Sequence, residues 1–336
     1  MNETNCLICN QKTDYLDEYK FNVNSDIEFF GKIQLVYCKE CDLSFANPMP
    51  STTKLDHFYK YVYRDSGRPH YKDLRNLEED LLNQKNMNYI QYLSSFINFN
   101  EIESIFDFGS GSGDVGYILS KKFKHLKLYT IESDSFSKEI LKDRNYKIYE
   151  NFNEIDIKFD LIISTHVIEH LTNLNIFENF KKVLKKNYYI FIEVPNNLFE
   201  VNFNKRPYDS PHLIFFSKKS LHRIKEKFNL QILNLTYSSY SIDKAFNEMK
   251  KSKLIFEGWT KKTKYNNKRI SIKNFIKSIL PKKILKMIRK YRAENSLSYE
   301  NFINGDVNSW SLRVLYKNIE NNEDNEDRKE SEKKID

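Results

Sequence analysis

Half of the glycines in this 336-residue chain fall within eight consecutive positions, which restricts the folds the chain can adopt. Four of its eight glycines are Gly109, Gly111, Gly113 and Gly116. The preceding segment, residues 104–108 (SIFDF), is apolar enough for a buried strand, and residues 115–123 have the pattern of a helix. A strand, a glycine turn and a helix in this order bring backbone N–H groups and a helix N-terminus against a ligand. The cluster therefore predicts a ligand-binding turn.

The segments after the glycine cluster alternate between strand and helix patterns. A second apolar segment, residues 126–131, ends at Glu132, 25 residues after Asp107, where βαβ folds bind ribose hydroxyls. Further strands are predicted over residues 146–149, 159–164, 188–194, 230–237 and 311–316. Helices are predicted over residues 135–144, 174–184 and 218–228, the last capped by Ser217. This alternation predicts an α/β fold with a parallel sheet covered on both faces.

All four cysteines belong to CxxC pairs near the N-terminus. The pairs are Cys6 with Cys9 and Cys38 with Cys41, and 28 residues lie between them. Two such pairs bring four thiolates together at two tight turns, which is the ligand set of tetrahedral zinc. Asn10 and Asp42, which follow the pairs, tolerate the left-handed conformation that these turns need. We predict a structural zinc site, because four thiolates leave no position open for catalysis; redox-active or metal-free dithiols are the alternative.

Composition excludes some classes of protein. Hydrophobic residues make up 40% of the chain and aromatic residues 15%, which is enough to bury a core and excludes wholesale disorder. The longest apolar run, residues 188–194, has seven positions and is interrupted by Glu193, so no membrane-spanning helix is expected. The first residues, MNETNCLICN, have no basic region followed by a long apolar stretch, so a reducing cytoplasm is expected.

The positive charge of the chain is local. The formal net charge is +8, whereas residues 261–292 alone hold 13 Lys or Arg and no acid. The apolar positions of this segment have a helical spacing that is interrupted at Pro281. The simplest interpretation of this segment is two short helices with a solvated basic face. The alternative is that it contacts an anionic membrane surface or a phosphate-bearing acceptor. Nucleic acid is the least favoured partner. Residues 318–336 are expected to be disordered.

Several motifs resemble those of one enzyme superfamily. The glycine turn with its preceding acid, residues 107–113 (DFGSGSG), resembles motif I of class I S-adenosylmethionine-dependent methyltransferases. Residues 165–171 (THVIEHL), 193–196 (EVPN) and 212–217 (HLIFFS) are similar to the later blocks of one branch of that superfamily. The CxxC pairs and residues 47–50 (NPMP) are similar to the zinc domain fused to that branch, which includes sugar C-methyltransferases acting on nucleotide-linked deoxysugars.

The resemblance covers about residues 75–317 and implies a Rossmann-like seven-stranded methyltransferase sheet with a small N-terminal zinc-ribbon domain. It implies a zinc-binding and substrate-lid region over residues 1–72 and a cofactor-binding domain over residues 73–317, with a tail over 318–336. The basic helical insert occupies residues 261–305. A Rossmann dehydrogenase is the alternative for the glycine turn, but dinucleotide folds favour G-x-G-x-x-G and this turn reads G-x-G-x-G.

The resemblance also implies which residues hold S-adenosylmethionine. In the family the first acid, here Asp107, orients the loop and the methionine end, and the second, here Glu132, holds the ribose. The expected cofactor contacts are Asp107, Gly109, Ser110, Gly111, Gly113, Glu132, Ser133, Thr165 and His166. The expected cofactors are therefore S-adenosylmethionine and zinc.

The acceptor must be aligned with the S–CH3 bond, and it must lose a proton during or before attack. His212 is the first candidate for the base, because it lies in a proline-rich loop after the strand that ends at Val194. In the sugar C-methyltransferases the equivalent segment reads Tyr-His-Glu-His, whereas here Asp209 and Pro211 replace the Tyr and the Glu. O-methylation is therefore at least as well supported as C-methylation. A His212 that only packs or caps a helix is the alternative.

The segment HVIEH places His166 and His170 on one helical face with Glu169 between them, without the HExxH spacing of a metal-binding helix. The resemblance places His166 against the cofactor and gives Glu169 and His170 a structural role. An aromatic stripe after the zinc region usually packs, but in the resembled enzymes tyrosines from this stretch fold over the substrate. The stripe contains Tyr59, Tyr61 and Tyr63. The predicted catalytic residues are His212, His166 and Tyr63.

The sequence leaves three functions to compare. The leading hypothesis is methylation of a small-molecule sugar, nucleotide-linked or a glycan precursor, in surface-polysaccharide assembly. An rRNA or tRNA methyltransferase with an N-terminal zinc domain is the second, but base-amine methyltransferases usually carry Asn or Asp-Pro-Pro-aromatic where this chain has Ser164 to Val167. A zinc-ribbon scaffold without catalysis is the third, and the intact glycine turn with its two acids argues against it.

Overall fold

The computed structural model describes residues 4–19, 21, 24–63, 84–197, 211–241 and 309–319. The strands are β1 (Asp14–Glu18), β2 (Gln34–Cys38), β3 (Leu43–Asn47), β4 (Ser104–Phe108), β5 (Lys127–Ile131), β6 (Tyr146–Tyr149), β7 (Phe159–Thr165), β8 (Leu184–Pro195), β9 (Ile214–Phe215), β10 (Leu230–Ser241) and β11 (Ser309–Asn318). The helices are α1 (Asn24–Phe30), α2 (Thr52–His57), α3 (Gln84–Ser94), α4 (Asp114–Lys122), α5 (Ser135–Asp143), α6 (Ile176–Val183) and α7 (Lys218–Lys227). Shorter turns cover Phe58–Val62 (π), Phe152–Glu154 (3-10) and Ile168–His170 (3-10).

The described residues belong to two compact units. The first unit contains the described residues up to 63, residues 98–236 and those from 312 onward. The second contains residues 84–97, which include α3, and the described residues from 237 to 311. All the side chains discussed below as a candidate site belong to the first unit.

Seven of the described strands form one sheet in the order β10-β11-β8-β7-β4-β5-β6, which confirms the expected seven-stranded α/β fold. The pairs from β8 through β7, β4 and β5 to β6 are parallel. Asn318 donates a hydrogen bond to the carbonyl of Lys185 (3.4 Å) while Arg313 contacts Glu193, so β11 runs antiparallel to β8. The strand order reverses between β4 and β7, and open α/β sheets bind ligands at the carboxyl ends of strands at such a switch point.

The elements predicted from sequence are confirmed, with shifts at their ends. The strand Tyr146–Tyr149 has the predicted bounds, and Ser217 caps α7 by accepting a hydrogen bond from the Ser220 amide at 3.1 Å. Strand β8 begins at Leu184, four residues earlier than predicted. Residues 185–187 (KKN) are polar, and Lys185 pairs with Asp160 of β7 at 2.7 Å, so a search for apolar runs misses this part of the strand.

Some predictions concern residues outside the part of the chain that the structure describes. The basic insert over residues 261–305, Asp209 and the tail beyond residue 319 all lie outside the described residues. Among the helices that are described, none is both long and apolar enough to cross a membrane.

A second, four-stranded antiparallel sheet has the order β1-β2-β3-β9. Its first three strands come from the N-terminal region, whereas β9 lies beyond β8 in the chain. Ser44 pairs with Phe215 and Phe45 with Ile214, and the carbonyl of Leu213 accepts a hydrogen bond from the β3 backbone at 2.8 Å. The sequence predicts no strand here, because two residues are too few to show a period. The N-terminal region therefore holds the segment that follows His212.

A buried ion pair joins β8 to β11. The guanidinium of Arg313 lies 2.7 Å (Nε) and 2.6 Å (Nη2) from Oε2 of Glu193, and neither side chain is more than 3% exposed. Removing one partner of a buried pair leaves an uncompensated charge, which costs far more than the pair contributes over a neutral packing.

Arg313→Met is therefore expected to lower the free energy of unfolding by about 3–5 kcal/mol, measured by urea denaturation followed by circular dichroism. The matched control is Arg223→Met, since Arg223 pairs with Glu226 at exposed positions of α7 and such pairs contribute about 1 kcal/mol or less. Equal, small losses in the two variants would contradict the role given to the buried pair.

Candidate active site

The glycine turn after β4 has the conformation that only glycine adopts easily. Gly109, Gly111 and Gly113 have φ angles of 66°, 55° and 69°. A Cβ at Gly109 would lie 2.7 Å from the side chain of Val167, and one at Gly113 would lie 2.6 Å from Leu141. A Cβ at Gly111 would meet no atom within 4 Å, so the backbone of the turn borders open space at this point. The turn is packed on two sides and leaves room for a ligand at Gly111.

Glu132, at the end of β5, is joined to this turn. Its Oε2 accepts a hydrogen bond from the Gly111 amide at 2.7 Å, and its Oε1 accepts one from the Asp134 amide at 2.9 Å. Thr130 connects the same two strands, because its hydroxyl donates to the Asp107 carbonyl at 2.6 Å and lies 2.9 Å from the Ser110 hydroxyl. The structure thus brings together the glycine turn and the acid that the sequence places on the next strand.

Asp107 is buried, Glu132 is partly exposed, and no cation is described between these two acids. Burial, together with the charges of Glu132 and Asp114, raises the pKa of Asp107 to about 7. Burial likewise raises the pKa of Glu132 above its ordinary value. The hydroxyl of Tyr146 donates to the Gly113 carbonyl at 2.8 Å and lies 3.5 Å from Oδ2 of Asp107. Two such carboxyls beside an open turn fit a ligand with a positive charge and hydroxyl groups, as S-adenosylmethionine has.

A histidine clamped by two carboxylates lies next to this turn. His166 follows β7 directly with a φ of 56°, and its neighbour Val167 packs on Gly109. Its Nε2 lies 3.2 Å from Oε1 of Glu193, and its Nδ1 lies 3.5 Å from Oε1 of Glu169. The ring is 25% exposed, so His166 connects the buried carboxylates to the open edge of the sheet.

Glu169 is fully buried among histidines. Its exposure is 0%, and neither of its carboxylate oxygens makes a hydrogen bond among the described residues. Burial by itself would raise the pKa of Glu169, but His166, His170 and His212 together lower it. Burial and the nearby His212 lower the pKa of His170 to about 4. At neutral pH this cluster therefore contains an ionised carboxylate and a neutral imidazole.

His212 and one tyrosine of the aromatic stripe reach the same cluster. The rings of His170 and His212 meet edge to face, with centroids 4.6 Å apart. The hydroxyl of Tyr59 lies 2.9 Å from Nδ1 of His170. Tyr61 is 55% exposed, and the ring of Tyr63 packs on Tyr59. Of the three tyrosines, Tyr59 has a described contact with the histidines.

No role is predicted above for Glu193 or Arg313, although each is a charged residue within an otherwise apolar strand. For Glu193 the sequence did contain a signal, because this charged residue interrupts the apolar run over residues 188–194. Their pairing could not be predicted, because 120 positions separate the two residues. Tyr59 could not be told from its neighbours either, since a π-helical turn changes which side chains share a face.

The four cysteines come together as predicted. One Sγ from each of Cys6, Cys9, Cys38 and Cys41 lies within 4.8 Å of the others, and the Cys9 and Cys38 sulfurs are 3.6 Å apart. Tetrahedral zinc with Zn–S bonds of about 2.3 Å needs sulfurs about 3.8 Å apart, so this donor set fits the ion. Asn10 and Asp42 have φ angles of 59° and 51°, which confirms the left-handed turns expected after each pair.

Part of the chain is similar to a family of known proteins. Residues 75–235 match a family described as a methyltransferase domain. The curated proteins give no match. A solved coclaurine N-methyltransferase bound to N-methylheliamine and SAH is 16% identical, with a TM-score of 0.44 over 74% of this chain and 75% of that one.

Two other solved structures are similar at the same level. The O-methyltransferase of a trans-AT PKS multienzyme from Brevibacillus brevis, in complex with S-adenosyl-L-homocysteine, is 15% identical with a TM-score of 0.44, over 91% of this chain and 85% of that one. The plantazolicin methyltransferase BpumL, with a desmethylPZN analog and SAH, is 11% identical with a TM-score of 0.41, over 79% and 95%. Likenesses this weak decide nothing about the acceptor.

The match to a methyltransferase family confirms that the chain is an enzyme and excludes the scaffold alternative. The dehydrogenase alternative for the glycine turn is excluded with it. The matched region, residues 75–235, spans the glycine turn, both acids and the switch point of the sheet, and these are features of an S-adenosylmethionine-dependent methyltransferase domain.

Proposed function

We propose that the enzyme transfers the methyl group to a hydroxyl oxygen of a sugar, nucleotide-linked or part of a glycan precursor, in surface-polysaccharide assembly. The observation that carries the proposal is the clamp of His166 between Glu193 and Glu169 beside the glycine turn. An acceptor edge built from imidazoles and carboxylates suits a hydroxyl-rich acceptor that must lose a proton. The resemblance of the N-terminal region to sugar methyltransferases supports the choice of a sugar.

In this proposal the open space at Gly111 would hold the cofactor. When bound, S-adenosylmethionine would supply a methyl group that its sulfonium already activates. Asp107 would orient the ammonium end, and Glu132 would hold the ribose. The turn and the strand ends would line the rest of the cofactor through Gly109, Ser110, Gly113, Ser133, Thr165 and His166.

His166 would take the proton of the acceptor hydroxyl. Both ring nitrogens of His166 face a carboxylate, and the Glu193 contact at 3.2 Å is shorter than the Glu169 contact at 3.5 Å. The hydrogen is therefore assigned to Nε2, and Nδ1 keeps the lone pair. As the acceptor oxygen gains the methyl group, its proton passes to Nδ1, and Glu169 at 3.5 Å stabilises the resulting imidazolium. Arg313 pairs with Glu193 at 2.6 Å and holds its carboxylate in place on the other side of the ring. This is the division of labour of a carboxylate-held general base.

His212 and Tyr63 complete the acceptor side in this proposal. The ring of His212, which precedes β9, contacts the ring of His170. The ring of Tyr63 contacts the ring of Tyr59. The four-cysteine cluster would hold one structural zinc, and its need for reduced thiols agrees with a cytoplasmic enzyme. Membrane contact through residues 261–292 stays a prediction, because that segment lies outside the described residues.

Asp107→Asn is expected to stabilise the protein without cofactor at pH 8. The pKa of Asp107, about 7 when folded, exceeds its unfolded value of about 3.9, so burying this carboxyl costs free energy that grows as the pH rises from about 4 to 7. We expect a gain of about 1–3 kcal/mol in unfolding free energy at pH 8 and none at pH 4, whereas affinity for S-adenosylmethionine falls at least tenfold. Asp143→Asn, at an exposed position of α5, should change neither quantity. Equal gains at both pH values would contradict the argument.

One zinc per chain is expected by elemental analysis of protein kept reduced, and Cys38→Ser should lose it. Chelation should raise hydrogen exchange over the described residues up to about 50, and also over residues 213–215, because β9 pairs with β3. Strands β4 to β7 should keep their protection. Reduced protein that contains no metal would refute the zinc assignment.

His166→Ala and His212→Ala are each expected to lower turnover roughly 10²–10⁴-fold with labelled S-adenosylmethionine and a panel of sugar nucleotides. His222→Ala, at an exposed position of α7, is the control and should keep full turnover. Label recovered in RNA would instead support the rRNA or tRNA alternative. Exchange of an acceptor C–H with solvent deuterium before transfer would support C-methylation.

A further inference from the structure

We infer that Glu169, His170 and His212 bind one divalent first-row transition-metal cation at the acceptor edge. Each of the three side chains offers one donor atom, and these atoms lie within 4.8 Å of one another. Two imidazole nitrogens and a carboxylate oxygen form a donor set that suits such cations. The site is separate from the four-cysteine cluster, whose soft thiolates suit zinc.

The carboxylate of Glu169 is the first argument for a cation. It is completely buried, and neither oxygen has a hydrogen-bond partner among the described residues. A buried charge is costly unless it is paired or coordinates a metal. His166 does not meet this need, because its Nδ1, which carries the lone pair in the tautomer assigned above, lies 3.5 Å from Oε1. A cation between Glu169 and the two other histidines would satisfy the carboxylate.

The orientation of His170 is the second argument. Its Nδ1 lies 3.2 Å from the carbonyl oxygen of Pro211 and 2.9 Å from the Tyr59 hydroxyl. Since a carbonyl only accepts, the hydrogen is assigned to Nδ1, and the lone pair is then on Nε2. Histidines that bind metals usually donate their second N–H to a carbonyl or carboxylate in this way.

The anchoring of His212 is the third argument. Its carbonyl accepts a hydrogen bond from the Tyr19 hydroxyl at 2.8 Å, and the next amide, of Leu213, donates to the Glu169 carbonyl at 2.7 Å. The backbone next to His212 is therefore hydrogen-bonded to the backbone of Glu169, so these two proposed metal ligands are held close to each other. Such preorganisation holds ligands from two distant segments at a common point.

The inference deepens the proposed function and rests on it for the identity of the acceptor. Three protein ligands leave coordination positions open, where a hydroxyl oxygen of the acceptor could bind. A hydroxyl bound to a cation is more acidic, which would ease the transfer of its proton to His166. His212 would then act as a ligand, whereas the sequence suggests it as the general base.

The test is a titration of the full-length protein, purified and kept reduced, with Mn²⁺ followed by electron paramagnetic resonance. Mn²⁺ binds weakest in the first-row series and should leave zinc on the thiolates. We expect one bound Mn²⁺ per chain, with spin-echo modulation from directly coordinated imidazole nitrogen. Glu169→Gln and His212→Ala should each weaken binding at least tenfold. Glu178→Gln and His222→Ala, both at exposed positions, should bind as the parent does.

If Glu169→Gln does not fold, His212→Ala decides, since His212 is only half-buried. The inference is overturned if Mn²⁺ binds the parent no better than His212→Ala, or if the bound ion shows no nitrogen modulation. The titration contains neither S-adenosylmethionine nor acceptor. Methyl transfer to a sugar without Mn²⁺ binding would thus refute the cation site alone, and Mn²⁺ binding without transfer to any sugar would refute the proposed acceptor alone.

Discussion

The pairing of β3 with β9 is the contact on which the acceptor edge depends. The paired residues, Ser44 with Phe215 and Phe45 with Ile214, are reinforced by a backbone bond to Leu213 and by the Tyr19 hydroxyl on His212. These bonds hold the segment after β8 against the end of β7. The N-terminal region consequently helps to position His212 in the histidine cluster.

The carboxylates near the histidines and those near the glycine turn differ in how their charge is compensated. On the acceptor side each buried carboxylate has basic neighbours, since Glu193 contacts Arg313 and Glu169 lies among histidines. On the cofactor side burial, together with the charges of two neighbouring acids, Glu132 and Asp114, raises the pKa of Asp107 to about 7. A buried acid without a cationic partner destabilises the protein when no ligand is bound. A cationic ligand that pairs with this acid removes that destabilisation, which strengthens its binding.

What could be predicted from the sequence was mostly local. The strand Tyr146–Tyr149, the cap at Ser217 and the positive φ of Asn10 and Asp42 each follow from a few neighbouring residues. Glu132 meets Gly111 because adjacent strands of one βαβ unit place their ends together. The histidine cluster could not be predicted, since it also needs Tyr59 and Arg313, whose positions depend on the finished sheet and show no periodicity.

The fourth strand of the N-terminal sheet has a consequence for synthesis on the ribosome. Strand β3 ends at Asn47 and β9 begins at Ile214, so more than 160 residues must be added before the edge of β3 is covered. At about 5–20 residues per second the nascent chain waits on the order of ten seconds with this edge exposed. The four cysteines have all emerged by then, so early metal capture could order β1 to β3 and limit the time in which the open edge pairs with another chain.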